Sequence, residues 1–453
     1  MVVLPHPLIS LLLLATVPFA RARNTATGTR EVAAAAATAV TSSPTSSVKG
    51  KVFDRFVVVW LENTDYDKSI GDPNFSALAK KGITLSNYNA VTHPSEPNYI
   101  ASIGGDYFGI NDDEFHAIPS NVSSIVDLLE DKNISWGSYQ EDMPYSGFEG
   151  FAYVNQANGR NDYVRKHNPA VMFDSVANNA ERLSRIKNLT QFHADLDANK
   201  LPQWMFITPN MTSDGHDTSV TTAGQWTSDF LTPLLKNKNF MNNTLVLVTW
   251  DENHTYTQKN RVLGILLGDA VPADLIGSVD NSIYSHYSEI STVEANWGLH
   301  TLGRYDVGAN VFAFVGKQTG DSIRNWTGTP SFDAMYFNQS YPGPLNAKPA
   351  GPWPEPNTAA TINGRTVLPA IVSKWDTFSK TTPYGTGIEI ADGQHPAVQI
   401  QKSSISSTTG SSSASAASTT KASRARKRSE SQPGSLFAAA IGVAMAAIVG
   451  VGV

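Results

Sequence analysis

The sequence predicts an α/β protein with a largely parallel central sheet covered by helices on both faces. Two observations carry that reading. The runs "FVVVWL" (56–61), "TLVLVTW" (244–250) and "RVLGILL" (261–267) are continuously apolar, as strands buried on both faces must be. Segments with helical spacing lie between the strands, so the two element types alternate along the chain. With 453 residues, 41% of them hydrophobic, the chain can bury a large core.

The elements follow in order. After "FVVVWL", "NFSALAKKG" has helical spacing and ends on Gly82, and "ITLSNYNAV" reads as the next strand. "SSIVDLLEDKN" predicts a helix and "ISWGSYQ" a strand; "MFDSVANNAERLSRI" and "NLTQFHADLDANK" predict two further helices. "QWMFITPN" is a strand, and "TSDFLTPLLKNKNF" a helix broken by Pro233. "TLVLVTWDEN" and "RVLGILLGDAV" are strands, and "YSEISTVEANWGL" closes the alternation as a helix. From about Thr301 the pattern gives way to Gly/Pro-rich loops that still carry Phe337 and Trp353, as expected of segments wrapping the body.

Both ends read as addresses. Residues 1–22 have the short apolar run of a signal peptide, and 23–50 is Ala/Ser/Thr-rich and expected to be disordered or removed. The folded body is expected over 51–390, with a Ser/Thr-rich stalk and spacer over 391–434. Residues 435–453 are uninterruptedly apolar, which suits a glycosylphosphatidylinositol (GPI) attachment signal; a retained membrane helix is the alternative. N-x-S/T sequons at Asn74, Asn121, Asn133, Asn188, Asn210, Asn242, Asn253, Asn325 and Asn338 point to a glycosylated, exported body. With no cysteine, neither disulfides nor thiolate metal sites are possible. The net charge of −6 gives no electrostatic footprint for nucleic acid.

In an open α/β sheet, ligands bind beyond the carboxyl ends of the strands. There the sequence places Glu62-Asn63, then His93 and Ser95, then Asn210 with Asp214, His216 and Asp217, then Asp251-Glu252. Each has a plain alternative: Ser95 could cap the helix that Pro97 starts, and the others could be caps or solvated turns. Taken together they suit phosphoryl transfer. Glu62, Asp251 and Glu252 are hard oxygen ligands for a divalent cation, which would activate the Ser95 hydroxyl. The helix from Pro97 would aim N–H groups at a phosphate, with Asn98 as a further donor. His216 could neutralise a phosphate oxygen or protonate the leaving group.

The motifs "VVWLEN", "HPSEPNY", "PNMTSDGHD", "TWDEN" and "HYSEISTVEANWGL", over roughly Lys51 to Phe314, resemble the fungal secreted acid phosphatases. These sit in the phosphoesterase family alongside phospholipases C of the phosphatidylcholine type. The resemblance implies an alkaline-phosphatase-like three-layer α/β/α sandwich and hydrolysis of small phosphate monoesters through a phosphoserine, with a preference for acid. It implies Ser95 as nucleophile, Asn98 as oxyanion donor, His216 at the phosphate and His286 as a later catalytic histidine. It also implies Glu62, Asn63, Asp251 and Glu252, with Ser95, around a divalent metal ion. The two-metal relatives carry an aspartate where this chain is expected to have Asn210, which favours one principal metal.

No G-x-S-x-G elbow, H-E-x-x-H helix or P-loop is present. A phospholipase C-like phosphodiesterase and a non-catalytic surface glycoprotein remain the alternatives at this stage.

Overall fold

The computed structural model describes residues 23–375 and 382–390. The expected signal peptide, the stalk and spacer over 391–434 and the apolar C-terminal segment lie outside the described residues. The strands of the main sheet are β1 (Arg55–Leu61), β2 (Ile83–Asn89), β3 (Trp136–Gln140), β4 (Ile186–Asn188), β5 (Trp204–Thr208), β6 (Thr244–Trp250), β7 (Arg261–Leu267), β8 (Val279–Asp280) and β9 (Tyr284–Ser285). Their order is β8-β2-β7-β6-β1-β5-β3-β4, with β9 also pairing with β2. All pairs are parallel except those of β7, which runs antiparallel to β2 and β6.

The main helices are α1 (Thr29–Thr38), α2 (Pro73–Ala79), α3 (Ser95–Gly104), α4 (Ile125–Asp131), α5 (Val220–Leu234) and α6 (Tyr287–Trp297). Register decides which face each one covers. Leu61 of β1 pairs with Trp250 of β6, so Trp60 and Trp250 point to opposite faces. Trp60 packs on Tyr99 of α3 and donates its indole N–H to Glu289 of α6. Trp250 packs on Phe75 of α2, beside α5, whose Gly224 lies so close that a Cβ would sit 2.4 Å from Asp72. Helices therefore cover both faces, and the expected fold class is the one observed.

Three local expectations change. The segment 172–186, expected as one helix, instead holds short helical turns that end at Leu183, because the Asn179 side chain accepts the N–H groups of Glu181 and Arg182 and restarts the chain. The edge strand β4 follows directly. Helix α5 continues through Pro233, which falls in its last turn, where the lost bond disturbs little.

The third change concerns residues 23–50, expected to be disordered, which instead run along the body. Ser46 Oγ donates to Gln203 Oε1 (2.6 Å) and accepts from Ser135 N–H (2.7 Å), while Ser43 Oγ donates to Asp195 (2.8 Å) and accepts from the buried Lys187 (2.9 Å). Small polar side chains here satisfy buried donors and acceptors, a use that composition does not show.

Beyond Thr301 the loops wrap back across the body. Tyr341 and Tyr384 both donate to the buried Asp106, just after α3, and Trp353 packs on Phe108.

Candidate active site

The strand ends converge on one edge of the sheet, and backbone hydrogen bonds stitch their loops together. Asp251 N–H donates to Leu61 O (3.0 Å), Glu62 N–H to Asp214 O (3.1 Å) and Thr64 N–H to Glu252 O (3.2 Å). Glu62, Asp214, Asp251 and Glu252 are consequently neighbours, and all four are buried. At the β2–α3 corner, the buried Ser95 donates its hydroxyl to Glu62 Oε2 (3.0 Å), while Tyr99 one turn later donates to Glu62 Oε1 (2.7 Å). Asn63 hydrogen-bonds Glu252 at the same edge.

Two histidines complete the cluster. His167 Nε2 lies 2.9 Å from Glu62 Oε1 and Nδ1 3.6 Å from Asp214 Oδ2; His93 Nδ1 lies 2.6 Å from Glu252 Oε2. These contacts lack hydrogen-bond alignment. His167 Nε2, Asp214 Oδ2 and Glu252 Oε2 are buried without a hydrogen-bond partner, while Asp251 has only the Ser95 hydroxyl, and His93 only Asn253, as a side-chain partner. One donor atom each from Glu62, His167 and Asp214 fits within 4.8 Å.

Orphaned buried carboxylate oxygens cost several kcal/mol each (roughly) unless something compensates them. Burial first, then repulsion from Glu62, pushes Asp214, Asp251 and Glu252 well above the usual carboxylate range. Burial acts the same way on Glu62, but His167, with Lys166 and His216 behind it, draws Glu62 below that range. Burial also lowers His167 against the pull of Glu62, favouring a neutral imidazole able to ligate. Carboxylate oxygens and imidazole nitrogens crowded this closely in a buried cluster are a donor set that fits a divalent cation.

A match to the model of the phosphoesterase family covers residues 73–300, from α2 through the corner and the Asp251-Glu252 turn into the loop after α6. The chain belongs to the phosphoesterase family. It is 51% identical over 352 residues to a protein of Kluyveromyces lactis named probable acid phosphatase, covering 77% of this chain and 82% of that one. It is 48% identical over 356 residues to the acid phosphatase of Aspergillus fumigatus, covering 78% of each. A solved structure from Vibrio parahaemolyticus, described as a protein in the alkaline phosphatase superfamily, aligns with a TM-score of 0.36 and 11% identity. That alignment spans 58% of this chain and 73% of the other. The fold assignment rests on the topology itself, not on that weak likeness.

In this phosphoesterase Glu62, Asn63, Ser95, Asp251 and Glu252 come together, and three other expected residues change place or role. Asn98 does not face an oxyanion. Its Oδ1 accepts the N–H groups of Val91 (3.0 Å) and Thr92 (3.2 Å), and its Nδ2 donates to the carbonyls of Thr92 (2.9 Å) and Pro94 (3.1 Å). The whole capacity of the amide is spent bracing the corner. The helix start is likewise engaged: Glu96 N–H donates to Asp113 Oδ1 (3.0 Å), and Pro97 has no N–H.

His286 lies behind the acids, not among them. Its Nε2 donates to the backbone carbonyl of Asp251 (2.6 Å), its ring packs on Trp60, and burial lowers its pKa to about 3. It positions the Asp251 turn as a neutral ring.

Asn210 turns away as well, its Nδ2 donating to Asp142 (2.6 Å), and the carboxylate on this loop comes from Asp214. Gly215 between Asp214 and His216 has φ 102°, which glycine adopts without strain. This bend sends Asp214 inward and leaves His216 at the rim, bonded to Asp217 (2.8 Å), its ring centroid 6.2 Å from that of His167.

Sequence reasoning missed His167 and Lys166. Both come from a short helical turn, Arg165–His167, after a polar hairpin with no apolar run to mark it. Lys166 Nζ donates to Asp113 Oδ2 (2.8 Å), and Glu62, Asp214 and Glu252 all have it as a neighbouring cation. Glu62 foremost, then Asp113 and Asp251, hold its ammonium above the usual lysine value despite burial.

Beneath the site, Glu289 accepts from Tyr88 (2.7 Å) and Trp60 (3.1 Å). Burial outweighs both bonds and pushes its carboxyl up to about 8, from 4.5. The folded state therefore holds this proton more tightly than the unfolded chain. Its stabilisation is complete below about pH 4.5 and is lost as pH rises towards 8, at about 1.4 kcal/mol per pH unit. Urea unfolding followed from pH 4.5 to 8 should show this decline, and Glu289→Gln should make it shallower by about the contribution of one proton, the other raised acids keeping theirs.

Proposed function

We propose that this phosphoesterase is an acid phosphatase that hydrolyses phosphate monoesters at Ser95. The observation that carries the reading is a buried hydroxyl, bonded to Glu62, held at the sheet edge among acids and imidazoles, some of whose ligating atoms lack partners. The relatives named acid phosphatase support it.

Ser95 Oγ passes its proton to Glu62 and forms a bond to phosphorus as the ester P–O bond breaks, and the ester oxygen departs with a proton delivered by His216 at the rim. Water then cleaves the phosphoserine, its oxygen bonding to phosphorus as the Ser95 O–P bond breaks; His216 takes a proton from the water, and Ser95 Oγ recovers its own from Glu62, releasing inorganic phosphate. Glu62, Asn63, Asp251 and Glu252, joined by His167 and Asp214, would hold a divalent cation, which supplies a Lewis acid beside the hydroxyl and counter-charge for the phosphate. Lys166, kept in place by Asp113, binds the non-bridging oxygens in the role expected of the helix terminus.

A panel of phosphate monoesters and diesters, assayed from pH 4 to 9 on the purified protein, tests the reading. Monoester turnover strongest in acid supports it, and dominant cleavage of choline phospholipids overturns it. In the same assay Lys166→Ala should lower kcat/KM for monoesters about 100-fold, the scale of one lost charge-assisted contact in the transition state.

The reading extends to export, glycosylation and GPI anchoring at the cell surface. Asn121, Asn133, Asn242 and Asn325 are exposed, whereas Asn253 is buried and donates to Thr255 O, so it is the sequon least open to a glycan. No helix among the described residues is long and apolar enough to cross a membrane. Release of surface activity by a phosphatidylinositol-specific phospholipase checks the anchor.

A further inference from the structure

We propose that Tyr256 forms the wall of a leaving-group subsite that favours planar aromatic phosphate esters. The inference rests on the reading of Ser95 as the reacting group, since that fixes where the phosphoryl group lies.

The phosphoryl group would sit among buried polar side chains, so the remainder of the ester must project toward the open side. Tyr256 is an exposed ring one residue removed from Glu252 through His93. Its ring stacks on His93 with centroids 3.7 Å apart and planes at 27°, and His93 in turn touches Glu252. With one face against His93, the residue is still 48% exposed, leaving ring surface for a ligand. Glu252 and Asp251 both act electrostatically on its hydroxyl, which places the ring beside the acid cluster and not on a remote surface.

A lone exposed tyrosine is ordinary; this one is fixed in place from both sides. Thr255 N–H and Oγ1 each donate to the Asp65 carboxylate at 2.9 Å, and Asn253 Nδ2 donates to Thr255 O (2.9 Å). Asn338 Nδ2, from the wrapping segment, donates to the carbonyl of Tyr256 itself (2.9 Å). A ring already stacked and anchored loses little freedom on binding, so most of the stacking attraction goes into affinity. A flat leaving group would lie against or edge-on to it, whereas an alkyl group has no π face to offer. Aromatic contacts of this kind correspond to roughly threefold to tenfold in affinity.

The test separates this subsite from the Ser95 reading by measuring binding without turnover. Calorimetry on the full chain would compare phenylphosphonate with ethylphosphonate for wild type, Tyr256→Phe and Tyr256→Ala, with thermal melts confirming that each variant folds. Tyr256→Ala is expected to weaken phenylphosphonate about threefold to tenfold more than ethylphosphonate, and Tyr256→Phe to keep the aromatic preference. Equal losses for both ligands, or no loss for either, would overturn the subsite and leave Tyr256 as a cover for His93. Assays with phenyl phosphate and glycerol phosphate should place the same selective loss in KM. Selective phosphonate binding by a wild-type protein that hydrolyses neither ester would instead sink the Ser95 reading while supporting the subsite.

Discussion

Replacing Ser95 by alanine should reduce monoester turnover by a factor on the order of 10^4 or more, the scale seen when a nucleophile is removed. The protein should stay folded, because the hydroxyl bonds only the side chains of the neighbouring acids Glu62 and Asp251, and the corner itself is braced by the four bonds of Asn98. The decisive measurement is kcat on a chromogenic monoester together with a thermal melt. Undiminished turnover would remove Ser95 from the chemistry. Acid quench of wild type with a labelled monoester should trap phosphate on residue 95, and the alanine variant should trap none.

The second large effect concerns the buried acids and has opposite signs with and without metal. Glu62, Asp214, Asp251 and Glu252 are all buried and crowd one another, and repulsion from Glu62 adds to the burial of the other three. In metal-free protein Asp251→Asn relieves that repulsion and should raise Tm by roughly a few degrees. In metal-loaded protein the same change removes a ligand, so Tm should fall and activity drop by a factor on the order of 10^3. A cation at 1,000 times its Kd would add about 4 kcal/mol of stability, so chelation should lower wild-type Tm more than that of the variant. Melts of both proteins with and without chelator decide the matter. A variant less stable under both conditions, or activity indifferent to the substitution, would count against a metal at these carboxylates.

How far the sequence could be read depended on where each residue lies. Glu62, Ser95, Asp251 and Glu252 were legible because buried strands announce themselves by apolar runs, and the sheet edge forces whatever follows them into one place. His167 and Lys166 follow the polar hairpin Ala152–Val154 and Asn161–Val164, where no periodicity marks an element, so only tertiary packing brings them to the site. The misassigned residues show a different limit. The sequence displays the amide of Asn98 and the imidazole of His286 but not their partners, and both turn out to be committed to backbone groups. Asp214 stands two residues before His216, yet the bend at Gly215 decides which of the pair faces inward. The 23–50 segment was misread on composition, since serines that look like linker also suit Lys187 and Gln203.

The tyrosine clasp on Asp106 bears on how the molecule is made. Asp106 follows the helix that presents residue 95, and Tyr384 reaches it from 278 positions further along the chain. A contact of that sequence separation closes late, after the intervening segment has emerged and collapsed. A nascent polypeptide stopped short of Tyr384 would carry every acid and imidazole of the centre but not the last prop beneath the helix that begins at Ser95.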